Sequence, residues 1–371
     1  MTAMQLHTCG PSCPPNCPSQ LRLDLKGASR RALTIDMHCH AVVPQVEALI
    51  GDRPEKAAEM ARLAEGMGAA SVEHNQKVML PAAGPRLVNL DMRLADMESM
   101  GVDIQVISPS PTQYYYWADE DLAIDFVRAQ NESIAALCEQ HPRRLAGLGN
   151  VALQHPQLAA RQLEYAVREL GLKGVEVSTT VNDLELADPR LDVFWAKAEE
   201  LGCVVFIHPF GTSLGKRLDQ FYLGNTIGQP LETTVALSSL IFGGTLDRFP
   251  GVKIVAAHGG GYLPTYIGRS NHAWRVRPEA HKPLKQPFEY LRQIWFDTVV
   301  YEPHALRYLI DQVGVGQVVV GTDYPFDMGE YQVHRLIDLV EGLSSEEKDR
   351  ILGGNASALL GLGAVNSGKA E

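Results

Sequence analysis

Ala32-Leu33-Thr34-Ile35-Asp36-Met37-His38-Cys39-His40 is an apolar run that closes on two histidines two positions apart. Side chains alternate faces along a β-strand, so residues i and i+2 point the same way. A strand here puts both imidazoles on one side of its C-terminal end and turns Cys39 to the other. Three further apolar runs end in the same manner. Residues 203–208 close on His208-Pro209, and residues 253–258 on His258-Gly259-Gly260-Gly261. Residues 317–321 lead into Thr322-Asp323-Tyr324-Pro325.

Outward from these segments, short apolar runs alternate with amphipathic stretches. Strands are predicted at 32–37, 103–108, 145–151, 174–177, 203–208, 253–258, 293–298 and 317–321. Helices are predicted at 88–100, 120–141, 156–170, 191–201, 232–247, 263–274, 303–313 and 330–343. In the second of these, Leu122 and Phe126 are four apart and Ile134 is followed by Leu137 and Cys138, the spacing of one helix face. Eight such alternations predict a closed parallel (β/α)8 TIM barrel. Residues 41–86 separate the first strand from its helix, far more than an ordinary βα loop. Long βα loops sit at the catalytic mouth, so this insertion is expected to cover the site. The expected organisation is a Cys/Pro-rich leader at 1–31, the barrel at 32–362 and a flexible tail at 363–371. Helices at 345–352 and 355–360 form a C-terminal extension of the barrel.

The chain carries 33 Lys+Arg against 44 Asp+Glu, a net charge of -11, which argues against nucleic-acid binding. No stretch reaches the roughly 18–20 apolar residues that span a bilayer. Met1–Arg31 has no apolar core of the kind a secretory signal needs. Cys39, Cys138 and Cys203 sit in or beside apolar elements and read as reduced thiols, so a cytoplasmic protein is expected. Cys9, Cys13 and Cys17 are spaced four apart, but Pro11, Pro14 and Pro15 preclude a regular helix there and His7 is the one further ligand type. The leader is expected to have no metal role.

A lone histidine at a strand end is usually a core residue. Histidines and an aspartate at the ends of strands one, five, six and eight are different, because burying them together without partners would be costly. A nitrogen-and-oxygen donor set suits Zn2+ best and tolerates Mn2+.

These segments resemble those of the amidohydrolase superfamily, specifically its metal-dependent decarboxylase branch. The resemblance runs from Thr34 to Leu362 and includes His141-Pro142-Arg143-Arg144 with Gly147-Leu148-Gly149, Glu232-Thr233-Thr234, His258 through Arg269, and Gly321 through Glu330. It implies that His38, His40, His208 and Asp323 hold one divalent metal ion. It implies His258 as the base that activates metal-bound water, with Asp323 as its catalytic companion. Arg269 would reach the substrate carboxylate of a neighbouring subunit, which implies a homodimer or higher homo-oligomer. Phe326 would line the pocket. The carboxylated lysine of binuclear relatives has no match, since strand four reads Lys173-Gly174-Val175-Glu176-Val177, and a single ion is expected.

The chain departs from carboxymuconate-type members of this branch in two places. They carry an aromatic–arginine pair in the loop after strand one, whereas Ser71 to Val78 has none; Lys77 and Arg86 are the nearest cations, and Arg86 is the expected substrate contact. Phe210 follows His208-Pro209 where those members have tryptophan, and is a second expected contact. The substrate is therefore expected to differ from theirs. The aromatic run Tyr114-Tyr115-Tyr116-Trp117 either stacks on a planar substrate or serves as packing or an interface patch, and these readings stay open. The expected activity is non-oxidative decarboxylation of an aromatic or muconate-like acid in aromatic compound catabolism. The alternative is hydrolysis or hydration of a related ring-cleavage product, amide or ester at the same site. A non-catalytic metal-binding barrel leaves His258 without a role.

Overall fold

The computed structural model describes residues 32–362; the leader with its cysteines and the expected tail lie outside the described residues. Eight parallel strands form the barrel: β1 (Ile35–Ala41), β2 (Ile104–Pro109), β3 (Leu145–Gly147), β4 (Gly174–Val177), β5 (Val204–Ile207), β6 (Lys253–Ala256), β7 (Ile294–Asp297) and β8 (Val318–Val319). β1 to β3 pair in sequence order, as do β4 to β8. Isolated parallel bridges span both seams, Gly149 with Val175 and Asp36 with Val320. The ring order is thus the sequence order, the right-handed (β/α)8 arrangement.

Inside the ring, Ile35, Met37, Val106, Leu148, Val204, Phe206, Val255 and Val319 pack as one buried cluster. Ala356, Leu359 and Leu360 of the C-terminal helix Asn355–Leu360 join it, so that helix plugs the N-terminal end of the barrel. Outside, amphipathic helices cover the ring. Glu120–Gln140 buries Ala123, Phe126, Val127 and Ile134, and Asp119 caps it by accepting from the Leu122 amide at 2.9 Å.

Each expected strand is present, with unchanged ends at 174–177 and shifted ends elsewhere. β1 starts three residues later than the pattern suggested and continues through His40 to Ala41. Its pairing with β2 slips between Asp36 and Cys39. Such a bulge re-aims the side chains beyond it. Met37 therefore still faces the interior cluster, Cys39 packs outside with Ile107 and Phe126, and the two histidines turn inward. The expected helix at 232–247 divides at Gly243-Gly244 into Gln229–Phe242 and Thr245–Arg248, with Gly244 left-handed at φ +73°. The helix expected at 330–343 is confined to Val333–Asp338. Its first turn is lost because the Gln332 amide bonds the Glu330 carboxylate at 2.7 Å and Tyr331 donates its hydroxyl to the Phe326 carbonyl.

The insertion after β1 is helical: Pro44–Ile50, Pro54–Met67, Ala69–His74 and Leu80–Val88. It leans on the loops that follow β5 and β8, both at the C-terminal ends of strands. Gly68 sits at φ +80°, where a Cβ would lie 1.6 Å from the Asp219 carbonyl oxygen, so only glycine permits that approach. His74 Nε2 lies 3.0 Å from Asp327 Oδ2, four residues beyond Asp323. Among the described residues, no helix is long and apolar enough to cross a membrane.

Candidate metal centre

His38, His40, His208 and Asp323 each offer one ligand atom, and these atoms lie within 4.8 Å of one another. All four side chains are buried. His38 Nε2 and His40 Nε2 stand 3.4 and 3.3 Å from Asp323 Oδ1. The His208 ring centre is 4.9 Å from that of His38 and 4.8 Å from that of His40. His38 Nε2 and both ring nitrogens of His40 and His208 are buried without a hydrogen-bond partner. Orphaned buried imidazole nitrogens are costly, and a divalent cation at their common focus removes that cost. Three nitrogens and one carboxylate oxygen are donors that such an ion accepts.

The electrostatics place His208 and Asp323 in their ligand forms. Burial of His38, by contrast, is outweighed by Asp323 and Asp297, which raise it to about 10, so that ring gives up a proton on becoming a ligand. Burial pushes His208 well below its ordinary value, and the neighbouring His40, His38 and His258 push it the same way, so it stays neutral. Burial opposes ionisation of Asp323, but the charge of His38 and the nearby ring nitrogens of His258, His38 and His40 outweigh it and keep the carboxyl well below its usual range. A neutral imidazole and an ionised carboxylate are the ligand forms.

The cage is held from beneath. Asp36 accepts from the Thr322 amide at 3.0 Å, the Thr322 hydroxyl at 2.7 Å and Gln105 Nε2 at 3.0 Å, which pins the end of β8 onto β1. Arg93 donates to Gln105 Oε1 at 2.9 Å and to the His40 carbonyl. Glu176, on β4, accepts from Tyr114 at 2.5 Å and from Ser108, and its Oε2 is 3.7 Å from His40 Nδ1.

His258 follows β6 at φ +55°, and Asp323 follows β8 at φ +58°. Left-handed backbone at non-glycine residues is uncommon and gathers at functional sites. His258 Nε2 is 3.9 Å from Asp323 Oδ2. Both residues line a cavity of about 660 Å3 that continues past Asn225, Gln229, Tyr262 and Tyr301.

The remaining expected site residues fall elsewhere. Arg86 is turned away from the cavity: its Nε donates to Asp96 at 2.8 Å and its Nη1 to the Ala82 carbonyl at 3.0 Å. A buried guanidinium takes the nearest carboxylate, and Asp96 supplies it. Phe210 packs edge-on to Tyr114 with ring centres 6.0 Å apart. Phe326 lies beside His40, ring centres 5.5 Å apart. Neither is in the cavity wall, and Arg269 stands exposed on the helix Leu263–Val276. The run at 114–117 is packing: Tyr114 bonds Glu176, Tyr115 bonds Glu47 at 2.6 Å, and Trp117 bonds Glu59 at 3.2 Å.

Two buried carboxylates escaped the sequence reading as partners of the ligands. Asp297 Oδ2 lies 2.6 Å from His38 Nδ1, and burial of that carboxyl is outweighed by the His38 bond, which keeps it below its usual range. Asp297 closes β7 just as His208 follows β5, and that position was the available signal. Glu176 was noted on its strand but not as a neighbour of His40.

Fold and site together define a metal-dependent barrel of the amidohydrolase type. The family model described as amidohydrolase matches residues 35–362, and the chain belongs to that family. It is 37% identical over 274 residues to a 2-amino-3-carboxymuconate-6-semialdehyde decarboxylase of Dictyostelium discoideum, covering 73% of this chain and 76% of that protein. Its fold is similar to that of 5-carboxyvanillate decarboxylase from Sphingomonas paucimobilis, with a TM-score of 0.76, 27% identity, and coverage of 89% and 99% of the two chains. The corresponding decarboxylase from Novosphingobium aromaticivorans, complexed with manganese and 4-hydroxy-3-methoxy-5-nitrobenzoic acid, superposes with a TM-score of 0.79 at 24% identity, covering 89% of this chain and 96% of that one.

Proposed function

We propose that this chain is a metal-dependent carboxy-lyase that removes CO2, without an oxidant, from an aromatic or muconate-like carboxylic acid. The observation that carries the reading is the meeting of His38, His40, His208 and Asp323 at one focus, with His258 and Asp323 in the wall of a single cavity. Decarboxylase relatives supply the reaction class.

We assign the four converging residues as ligands of one divalent ion. Zn2+ is the first choice for a three-nitrogen, one-oxygen set; the manganese held by a structural neighbour makes Mn2+ the second. One ion is favoured because the Glu176 carboxylate is already taken by Tyr114 and Ser108. When bound, the ion supplies Lewis-acid polarisation of substrate and water oxygens. The protein supplies the rest. Asp323 orients the His258 ring from 3.9 Å. His258 takes a proton from water and returns it at the carbon that bears the carboxylate, and the hydroxide left behind regains a proton from solvent. The C–C bond to the carboxylate breaks as that carbon is protonated, and CO2 leaves.

Arg269 is assigned to the carboxylate of a substrate in a neighbouring subunit. Its exposure in the single chain and the absence of any arginine or lysine from the described cavity wall favour that role. A homodimer or larger homo-oligomer follows. Loss of KM-level binding in Arg269→Ala, with kcat nearly kept, supports it; unchanged kinetics remove Arg269 from the site. We place the protein in the cytoplasm, because Cys39 and Cys203 are buried free thiols.

The test is a CO2-release assay of the metal-loaded protein on a panel of hydroxybenzoic and dienoic acids. CO2 formed one-for-one with substrate lost is expected. Turnover that yields product without CO2 rejects decarboxylation in favour of hydrolysis or hydration.

A further inference from the structure

Asp297 ends β7 fully buried, and its two oxygens serve four donors from three segments of the barrel. Oδ2 takes His38 Nδ1 at 2.6 Å and the His258 amide at 3.0 Å. Oδ1 takes the Gly259 amide at 2.8 Å and the Val299 amide at 3.1 Å. A carboxylate only accepts. The proton of a neutral His38 ring therefore sits on Nδ1, and Nε2 keeps its lone pair toward Asp323 Oδ1, 3.4 Å away. The same carboxylate binds the backbone at His258 and Gly259, a consecutive left-handed pair at φ +55° and +60°. Such a pair is unfavourable for histidine and persists only where its surroundings hold it.

We propose that Asp297 is a positioning residue that couples the two halves of the centre, fixing His38 as a metal-facing tautomer and His258 as a cavity-facing base. The assignment rests on the ligand and base roles given above. It deepens them, because one side chain sets both: carboxylate partners of ligating histidines tune metal affinity, and this one also shapes the turn that presents the base. No touch on substrate is implied, since Asp297 is absent from the cavity wall.

The test is Asp297→Asn in the full chain. Asparagine keeps one oxygen for part of the donor set but turns N–H groups toward the rest. Zn2+ affinity, measured by competition with a chromophoric chelator, is expected to fall about 10–100-fold. Hydrogen exchange of the peptide carrying His258 and Gly259 is expected to accelerate while distant barrel peptides keep their protection. A merely structural role would lower thermal stability and leave both readouts of the folded protein unmoved; that result overturns the proposal. Should the variant fail to fold, 15N spectra of histidine-labelled wild type decide: an Nδ1–H tautomer at His38 supports the proposal, an Nε2–H tautomer overturns it. A wild type with no Zn2+ affinity sinks the ligand reading and this proposal together. A tightly binding wild type with an equally tight Asn variant sinks this proposal alone.

Discussion

The Tyr114 hydroxyl donates to the Glu176 carboxylate at 2.5 Å, and both side chains are buried. This contact joins the loop after β2 to the middle of β4, directly behind His40. Burial raises the Glu176 carboxyl above its ordinary value, against the lowering effect of His40, Ser108 and Tyr114. Removing the hydroxyl leaves a buried acceptor one donor short, which costs on the order of 1–3 kcal/mol. Tyr114→Phe is therefore expected to unfold at lower denaturant with an unchanged m-value. Wild-type stability in the variant would show that the hydroxyl does not hold Glu176.

The barrel was legible because short apolar runs and helical stripes are local signals, and each of eight strands announced itself. The four converging positions were legible because each follows or ends such a run. The bulge between Asp36 and Cys39 was not, since a register slip depends on the partner strand. It matters, for a regular strand carrying Met37 inward would turn His38 outward. Asp297 was hidden for a related reason: its meaning lies in a bond to a residue 259 positions away. Arg86 misled for the opposite reason. Nearness in sequence to the mouth suggested a substrate contact, while Asp96, ten residues on, captures it.

The ligand assignment proposed above predicts that stability depends on the ion. A ligand that binds only the folded state adds about 2.7 kcal/mol at one hundred times its Kd. Exhaustive chelation is expected to abolish turnover and lower the melting temperature, and stoichiometric Zn2+ to restore both. Calorimetry with and without chelator measures the shift; full activity in metal-free protein would falsify the centre assigned to His38, His40, His208 and Asp323.

Acid should loosen the insertion before the barrel. Glu47 accepts from Lys56, from Tyr115 at 2.6 Å and from Gln113 at 2.8 Å. Burial opposes its ionisation, but these donors win and hold its carboxyl below the ordinary 4.5. A depressed carboxylate contributes stability that is complete above its unfolded value and disappears as pH falls through the folded one. The wild type is thus expected to lose stability in the window below about pH 4.5 through this group, and Glu47→Gln to show a shallower fall there. Parallel melting curves for the two proteins across that window would reject the role.

His258 is set apart from the ligands by geometry. It is not among the four converging donors, and its Nε2 is 3.9 Å from Asp323 Oδ2 while those of His38 and His40 are nearer the other oxygen, Oδ1. Its side chain is partly open to the cavity that the ligand histidines do not line. A base in that position typically contributes a factor of about one hundred to ten thousand. His258→Ala is expected to lose turnover by that range and to retain its metal, as measured by elemental analysis after gel filtration. Loss of the ion along with activity would move His258 into the ligand set and leave the barrel without an assigned base.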